Sequence, residues 1–295
     1  MKWRQISYGV KIFYPEQLKI AFEMEIRNLE NTPVEVIVDA LVKSFADYFL
    51  QLPDNIQYWQ NRFKIARVDL SLSFGMFDGD MLAGFILIGV DVQDDKLTAF
   101  NTGTGVLPQY RGSAIVDKLY EHALPLFKSK DIKSCALEVI EANDKAIRVY
   151  ERIGFSKKRF YRCFKGGFMQ GNNKVIVKET LFVDIIIKSR SPSYNSWDHT
   201  DKAIQQVKTY NSFEVLYNEM PIGYFVIDVS TGYIPQLDIY TSYKEHWQLL
   251  LEGIAQKSTV IKINNIDDRR EDLIEALLQI GLDNFINQYE MQMDI

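Results

Sequence analysis

One segment carries most of the information in this chain: Val106-Leu-Pro-Gln-Tyr-Arg-Gly-Ser-Ala-Ile115. It joins a strand predicted at 97–106 to an amphipathic helix that begins at Ile115. The small residues Gly112 and Ala114 allow the backbone of such a loop to approach a ligand closely. The first N–H groups of the helix have no partner within the helix, so together with the helix dipole they can hold a phosphate. A tight turn also needs glycine without any ligand, so the loop alone leaves a plain turn open.

A second pattern lies downstream, at Asn143-Asp-Lys-Ala-Ile-Arg-Val-Tyr-Glu-Arg-Ile-Gly-Phe155. It follows a strand predicted at 134–140. Asn143 stands at the start of the predicted helix, and Gly154 is the residue type expected where a helix ends. By itself, Tyr150 in this helix is equally well explained as an aromatic residue of the core.

The two patterns together resemble the GNAT superfamily of N-acetyltransferases, which use acetyl-CoA. The family pattern Q/R-x-x-G-x-G/A is met at Gln109, Gly112 and Ala114. The pattern N-x-x-A-I-x-x-Y-x-x-x-G-F is met by Asn143, Ala146, Ile147, Tyr150, Gly154 and Phe155. The resemblance covers residues 24–168 and implies an α/β protein with the mixed sheet of the GNAT acyl-CoA N-acyltransferase fold.

The resemblance also implies a binding site for acetyl-CoA. In the family, the strands equivalent to 97–106 and 134–140 splay apart, and the cofactor arm fills the gap between them. Backbone amides of the loop would hold the pyrophosphate, and Val106 would polarise the thioester carbonyl through its backbone. Tyr150 would act as the general acid that protonates the CoA thiolate. The implied cofactor-binding residues are Gly105, Val106, Gln109, Arg111, Gly112, Ser113, Ala114, Ile115, Asn143, Ala146 and Tyr150.

The chemistry of these groups agrees with acetyl transfer to an amine. A neutral amine can attack the thioester directly, and a phenol can donate a proton to the departing thiolate. A fixed strand N–H can stabilise the negative oxygen of the intermediate. The general base is not identifiable from sequence: Glu138, Glu141 and Asp91 are candidates, but each is better explained as a solvated or ion-paired carboxylate, and water could serve instead.

The chain divides into two unequal parts. The polar segment 188–201 (KSRSPSYNSWDHTD) is the best linker. We therefore expect an N-terminal extension at 1–23, a GNAT acetyltransferase domain at 24–187, the linker at 188–201 and a second domain at 202–295. Met24 could be the native start.

The second part repeats the first in eroded form. Setting Gly281 on Gly154 places Leu277 on Tyr150 and Arg270 on Asn143, and no Q-x-x-G-x-G/A loop follows Tyr240. We therefore predict a tandem protein whose second copy is a degenerate GNAT-like domain. The two copies could share a continued sheet, with the second shaping the acceptor pocket. Aromatic residues that could line such a pocket are Tyr194, Trp197, Tyr210 and Phe213.

Composition excludes several other classes. The chain has 295 residues, of which 47% are hydrophobic, and its net charge of -5 argues against binding nucleic acid by bulk charge. The longest clean apolar stretch, 83–90, is far shorter than a membrane span. The first twenty residues lack the features of a secretory signal, so we expect a cytoplasmic protein. We expect Cys135 and Cys163 to be buried free thiols. The scattered His122, His199 and His246 give no zinc spacing and no hydrolase triad, so we expect no metal.

Three functions fit these observations. The first is an acetyl-CoA-dependent N-acetyltransferase acting on a primary amine, by direct attack in a ternary complex. The second is a non-catalytic acyl-CoA-binding regulatory module. The third is an aminoacyl transfer protein that uses charged transfer RNA, which the intact loop and the acidic charge disfavour. The acceptor, a small-molecule or peptide amine, is left open, and so are the acyl chain preference and a homodimer.

Overall fold

A computed structural model describes residues 24–47, 52–93, 95–168, 174–188, 194–240, 243 and 245–295. The predicted N-terminal extension, 1–23, lies outside the described residues. The same is true of 189–193, in the predicted linker.

The first half alternates strands and helices as its motifs predict. The strands predicted at 97–106 and 134–140 match β4 and β5 to within one residue. In chain order the elements are β1 (Glu25–Asn28), α1 (Val34–Ser44), α2 (Ile56–Ile65), β2 (Phe74–Asp78), β3 (Met81–Gln93), β4 (Lys96–Val106), α3 (Ile115–Ser129), β5 (Ser134–Ile140), α4 (Asp144–Ile153) and β6 (Ser156–Gly167).

Local side-chain chemistry fixes several of these boundaries. Asn55 caps α2, and its Oδ1 accepts a hydrogen bond from the backbone N–H of Tyr58 at 2.9 Å. The hairpin between β2 and β3 turns at Gly79, which has the positive φ of 60° that an Asp-Gly turn requires. Helix α4 starts after Asn143 and stops at Gly154, whose φ is 120°.

The second half has a similar order of elements. They are β7 (Ile176–Glu179), α5 (Phe182–Lys188), α6 (Asp201–Gln205), β8 (Asn211–Tyr217), β9 (Met220–Asp228), β10 (Tyr233–Ile239), α7 (Glu245–Ala255), β11 (Val260–Asp267), α8 (Glu271–Gln279) and β12 (Asp283–Asp294). Sequence analysis did not predict β7, α5 or α6. These elements have four to seven residues, too few to show a clear hydrophobic period.

All of these strands join one mixed sheet, as the tandem reading anticipated. The strand order is β1-β2-β3-β4-β5-β12-β6-β11-β10-β9-β8-β7. The last strand of the second half, β12, therefore lies between β5 and β6 of the first half. Conversely, β6 lies between β11 and β12, so the last strand of each half is inserted next to strands of the other half.

The exchange of strands links the two hydrophobic cores. Met291 of β12 is fully buried in the core formed by α3, α4 and the first-half strands. Phe164 of β6 is fully buried in the core formed by α7, α8 and the second-half strands. Neither core is complete without a residue from the other half.

We predict that the two halves unfold in a single transition and that Met291→Ala destabilises the whole chain. Truncating a fully buried methionine costs about 2–5 kcal/mol through lost burial and the cavity that remains. The measurement is urea unfolding followed by circular dichroism and by tryptophan fluorescence. The control is Leu278→Ala, at a half-exposed position of α8, which should change stability by about 0.5 kcal/mol or less. Two resolved transitions would show that the shared strands do not couple the halves.

Candidate active site

A first cleft, of about 890 Å³, lies where β4, the loop after it, and the starts of α3 and α4 meet. The loop holds two residues with positive φ: Gly112 at 82° and Ala114 at 56°. Ala114 precedes α3, and no side chain among the described residues caps this helix. The first-turn amides of α3, from Ile115 onward, therefore stand at the wall of the cleft without a side-chain acceptor, an arrangement that favours an anion.

The charges around the cleft are mostly neutralised in pairs. Asp117, in the first turn of α3, would repel an anion, but two hydrogen bonds of 2.7 Å from Arg152 lower its pKa and balance its charge. Arg111 of the loop donates to both carboxylate oxygens of Asp47, at 2.6 and 2.7 Å, which lowers the pKa of Asp47 to about 2. On α4, the exposed Lys145 also lines the cleft, so its outer rim carries positive charge.

The wall between β4 and β5 opens as the family resemblance implies. The two strands pair in parallel only from Thr98 opposite Ser134 to Asn101 opposite Leu137, and they diverge beyond that point. On its other side, β4 carries one extra residue, Thr102, where its register with β3 shifts.

Asn101 holds the bulged strand in place. Its Nδ2 donates to the hydroxyl of Tyr120 at 2.7 Å and to Oγ1 of Thr104 at 2.6 Å, while its Oδ1 accepts from the N–H of Gly103 at 3.1 Å. Sequence analysis missed Asn101 and Tyr120, because no local pattern distinguishes them from core residues. At Gly105 the backbone approaches another residue of the protein closely, because a Cβ there would lie 2.5 Å from the Phe85 ring.

Helix α4 places Tyr150 in the same cleft. The side chain is 9% exposed and packs edge-on against Phe155, with ring centroids 5.8 Å apart. Asn143 caps α4, its Oδ1 accepting from the N–H of Ala146 at 3.2 Å. The asparagine of the motif therefore stabilises the start of α4.

Most of the sequence-predicted residues come together in this cleft. Its lining includes Gly105, Val106, Arg111, Gly112, Ala114, Ile115, Asn143, Ala146 and Tyr150. Two predicted residues do not line it. Gln109 lines a separate depression beside Met81. The hydroxyl of Ser113 donates to the backbone carbonyl of Tyr110.

A second cavity, of about 750 Å³, lies between the two halves of the protein; we call it the interdomain cavity. Its lining comes from α2, β4, β5, the segment 197–210, β9, β10, β11 and β12. Its polar and charged lining residues include Arg62, Thr102, Glu138, Asp198, His199, Tyr210, Asn264, Asn265 and Gln288.

Glu138 is the unusual group in this cavity. Burial, and then the negative charges of Asp198 and Glu290, raise its pKa to about 8. Its Oε2 accepts a hydrogen bond of 2.6 Å from Nδ2 of Asn265, a residue of the second half. The other two carboxylates considered from sequence have partners outside this cavity: Asp91 pairs with basic side chains, and the exposed Glu141 accepts a hydrogen bond from an asparagine of β12.

The part of the predicted linker that the structure describes is packed rather than exposed. Trp197 is buried, stacks on Phe100 with ring centroids 4.7 Å apart and donates to the carbonyl of Ala66 at 2.8 Å. Beside it, Asp198 pairs with Arg62 at 2.5 Å.

The histidine, aromatic and cysteine residues considered from sequence lie in different parts of the structure. His199 is buried 2.7 Å from the Tyr233 hydroxyl, and burial lowers its pKa to about 4. Of the four aromatic residues, Tyr210 lines the interdomain cavity, Phe213 belongs to the second core, and Tyr194 lies beneath Arg269. Both cysteines are buried free thiols, as predicted.

The corresponding gap in the second half is occupied by the protein itself. Strands β10 and β11 pair only at Tyr233 opposite Lys262. Arg270, at the position matched to Asn143, donates to the carbonyl of Leu237 and to Asp238, at 3.1 and 3.0 Å. Leu277, at the position matched to Tyr150, is fully buried in the second core. These features agree with a degenerate copy.

The comparisons with known proteins agree with this geometry. A family model described as the acetyltransferase (GNAT) family matches residues 35–155. That segment is therefore similar to the GNAT family. The tandem GNAT protein from the clavulanic acid biosynthesis pathway has a similar fold, with a TM-score of 0.66, 12% identity, and coverage of 92% of this chain and 98% of that one. Both GNAT-like halves of the chain are thus part of a known tandem fold.

Two curated relatives match part of the chain. N-alpha-acetyltransferase 30 of Schizosaccharomyces pombe is 31% identical over 97 residues, which is 32% of this chain and 65% of that protein. A Bacillus subtilis protein provisionally described as ribosomal protein bS18-alanine N-acetyltransferase is 30% identical over 84 residues, 27% of this chain and 53% of that protein. The matches therefore span between about half and two thirds of these relatives.

The described residues contain no helix long and apolar enough to cross a membrane. They also contain no group of three or more histidine, cysteine, aspartate or glutamate side chains placed to hold a metal ion.

The raised pKa of the partly buried Glu138 gives a stability prediction. The folded state holds the Glu138 proton up to about pH 8, whereas the unfolded chain releases it near its ordinary pKa of 4.5, so the stabilisation present below pH 4.5 is lost as pH rises toward 8. Glu138→Gln cannot titrate. We expect it to be more stable than wild type at pH 8 by about 1 kcal/mol or more, and equal to it near pH 4. Urea unfolding at both pH values measures this, with Glu141→Gln as the exposed control; a pH-independent difference would contradict it.

Proposed function

We propose that the protein transfers the acetyl group of acetyl-CoA to a primary amine, by direct attack in a ternary complex. One observation carries the proposal: the gap between β4 and β5, the uncapped start of α3 and the Tyr150 side chain all line a single cleft. A phosphate-binding helix end, an open strand edge and a proton donor are the parts that this reaction needs.

The donor occupies the first cleft in this proposal. The amides of Arg111 to Ile115 hold its pyrophosphate, and the exposed cationic side chains of Lys145 and Arg148 stand at the rim for a further phosphate. The open edge of β4 at Gly105 and Val106 bonds the pantetheine arm, and the Val106 backbone polarises the thioester carbonyl. Asn143 and Ala146 form the wall beside the arm.

Protons move at two places during the reaction: the attacking nitrogen loses one to solvent, and the departing sulfur gains one. The amine nitrogen attacks the carbonyl carbon, and the carbon–sulfur bond then breaks. Tyr150 gives its phenolic proton to the departing thiolate and regains one from solvent. The retained Tyr150 and the open gap favour this enzyme over a regulatory module that only binds acyl-CoA. In the second half, the equivalent positions carry Leu277 and Arg270, which are bonded or buried within that half and form no such site.

Several broader expectations belong to the same proposal. The acceptor is a small molecule or a peptide; the relative named N-alpha-acetyltransferase 30 supports an amine acceptor without naming this protein's own. The domain boundaries at 24–187, 188–201 and 202–295, a cytoplasmic location and the absence of a bound metal are carried over from the sequence.

Tyr150→Phe tests the acid. It removes only the hydroxyl, so we expect kcat to fall about 100-fold while the dissociation constant of acetyl-CoA changes less than threefold. Thiol release from acetyl-CoA measures the first quantity, and isothermal titration measures the second. An unchanged kcat would remove Tyr150 from the mechanism.

The loop is tested by Gly112→Ala, with Gly281→Ala as its matched control. Both glycines have positive φ, 82° and 86°, and a Cβ at either would meet nothing within 4 Å, so both variants should lose about 1 kcal/mol through backbone strain alone. Only Gly112→Ala should also weaken acetyl-CoA binding, because only Gly112 belongs to the loop. Thermal unfolding with acetyl-CoA, free CoA and ATP measures this.

At 100 times the dissociation constant, acetyl-CoA should stabilise the wild type by about 2.7 kcal/mol, and ATP should not. No stabilisation by either CoA species would mean that the Gln109–Ala114 loop is only a turn.

A further inference from the structure

The interdomain cavity and the first cleft lie on opposite faces of the sheet, at the same gap. On β5, Leu137 and Val139 point into the core beneath α3 and α4, on the side of the first cleft. Side chains alternate along a strand, so Glu138 points to the other face, as Ala136 does where it packs with Trp197. Glu138 is also the first residue of β5 beyond the last pair with β4, so it stands at the opening.

The two spaces are separated by little more than the bulged part of β4. Thr102 lines the interdomain cavity, and Thr104 lines the first cleft. Two residues of a strand span about 7 Å. A group bound in the interdomain cavity can therefore reach the edge of β4 where the thioester is proposed to lie.

The second half of the protein holds the Glu138 carboxylate in place. Asn265, which donates to Glu138, has a left-handed backbone with φ of 54° and lies where the register of β11 with β6 shifts. Gln288 of β12 donates to Oδ1 of the same asparagine at 2.7 Å. The side chain of Asn265 is thus oriented from both sides, and one carboxylate oxygen of Glu138 is fixed by residues that the GNAT family model does not cover.

The lining indicates which acceptor would fit. It is rich in neutral amide and hydroxyl groups, which hydrogen-bond hydroxyls and amines. Two residues of the lining, Asn264 and Asp198, each also hold a buried Oδ1 that has no hydrogen-bond donor among the described residues. The volume of about 750 Å³ suits a small molecule, and walls from both halves surround it.

We propose that the interdomain cavity is the acceptor site, that it takes a small primary amine carrying hydroxyl groups, and that Glu138, positioned by Asn265 of the second half, accepts the proton of the bound ammonium group. This rests on the proposed acetyl transfer and assigns its acceptor side. The degenerate half has lost the donor loop and contributes to the acceptor side instead.

The bound ammonium group carries three protons, and each has a stated destination. Glu138 takes one proton from the ammonium group and later passes it to solvent. The neutral amine forms the new carbon–nitrogen bond. After the attack the nitrogen loses a second proton to solvent, Tyr150 protonates the departing thiolate, and the amide keeps the third hydrogen.

The electrostatics of the site suit this role. A carboxyl group with a pKa of about 8 lies much closer to the pKa of an ordinary ammonium group than one at 4.5, so the proton transfer costs less free energy. The charged and titratable groups that face Glu138 are Asp198 on the 197–199 turn and Glu290 on β12, which raise its pKa; Arg62 on α2, which lowers it; and Tyr161 and Cys163 on β6. The hydrogen bond from Asn265 favours the charged form and also lowers the pKa.

The test is the pH profile of kcat/KM for thiol release from acetyl-CoA, with D-glucosamine as acceptor, in wild type, Glu138→Gln and Asn265→Ala. Wild type should gain activity as pH rises through about 8. Glu138→Gln should lower kcat/KM about 100-fold or more. Asn265→Ala should move the rise to higher pH, because its loss removes a hydrogen bond to the carboxylate; a purely structural role would lower the rate without moving the profile.

The controls separate this inference from the proposed function. Glu141→Gln, at the exposed carboxylate three residues away, should leave the profile unchanged. In all variants the acetyl-CoA dissociation constant should remain within threefold of wild type. If acetyl-CoA does not bind at all, the proposed function fails. If it binds and turns over but Glu138→Gln and Asn265→Ala have the wild-type profile, only the acceptor-side inference fails.

A panel of acceptors tests the substrate class. D-glucosamine and ethanolamine represent hydroxylated amines, spermidine a polyamine, and a short peptide with a free amino terminus the protein class. We expect kcat/KM for glucosamine to exceed that for the peptide at least tenfold. A preference for the peptide or the polyamine, or acetyl-CoA binding without turnover of any hydroxylated amine, would overturn the assignment.

Discussion

The structure depends on the insertion of β12 between β5 and β6. All seven residues of β5 pair with β12, from Ser134 opposite Asp294 to Ile140 opposite Gln288. By contrast, β5 pairs with β4 over only four residues. Buried backbone groups need hydrogen-bond partners, and β12 supplies them along the whole of β5. Strand β5 can therefore separate from β4 and remain ordered, and this separation is what opens the gap.

The exchange of strands also brings the second half to the active side of the first. Because β6 pairs with β11, the bulge that carries Asn265 lies next to the opening between β4 and β5. The turn at Trp197 is packed against the first half through Phe100 and Ala66, so the chain between the halves forms part of the cavity wall rather than a loose tether. The two halves thus share one sheet, two interlocked cores and one cavity.

The two halves differ at the positions that the proposed acetyl transfer uses. The first keeps the loop at Gly112 and the aromatic residue at Tyr150. The second has replaced the equivalent polar and aromatic positions by Arg270 and Leu277, which bond to its own strand and fill its own core. Filling the gap between β10 and β11 removes unpaired backbone groups and adds buried apolar contact. The second half can therefore lack a site for the acetyl donor and still be a stable domain.

The sequence by itself predicted the elements of the first half, the position of the loop and of Tyr150 on a helix, the degenerate repeat and the resemblance to the GNAT family, because turn residues, helix caps and hydrophobic periods act within short segments. It grouped Gln109 and Ser113 with residues of the cleft that they do not line, and it left Glu138, Glu141 and Asp91 indistinguishable. Only the tertiary structure separated them: it placed the partly buried Glu138 beside Asn265, 127 residues away along the chain, and paired Asp91 with basic side chains. A carboxyl group takes its pKa from burial and from neighbouring charges, and those are set by strands from distant parts of the sequence that meet in the sheet.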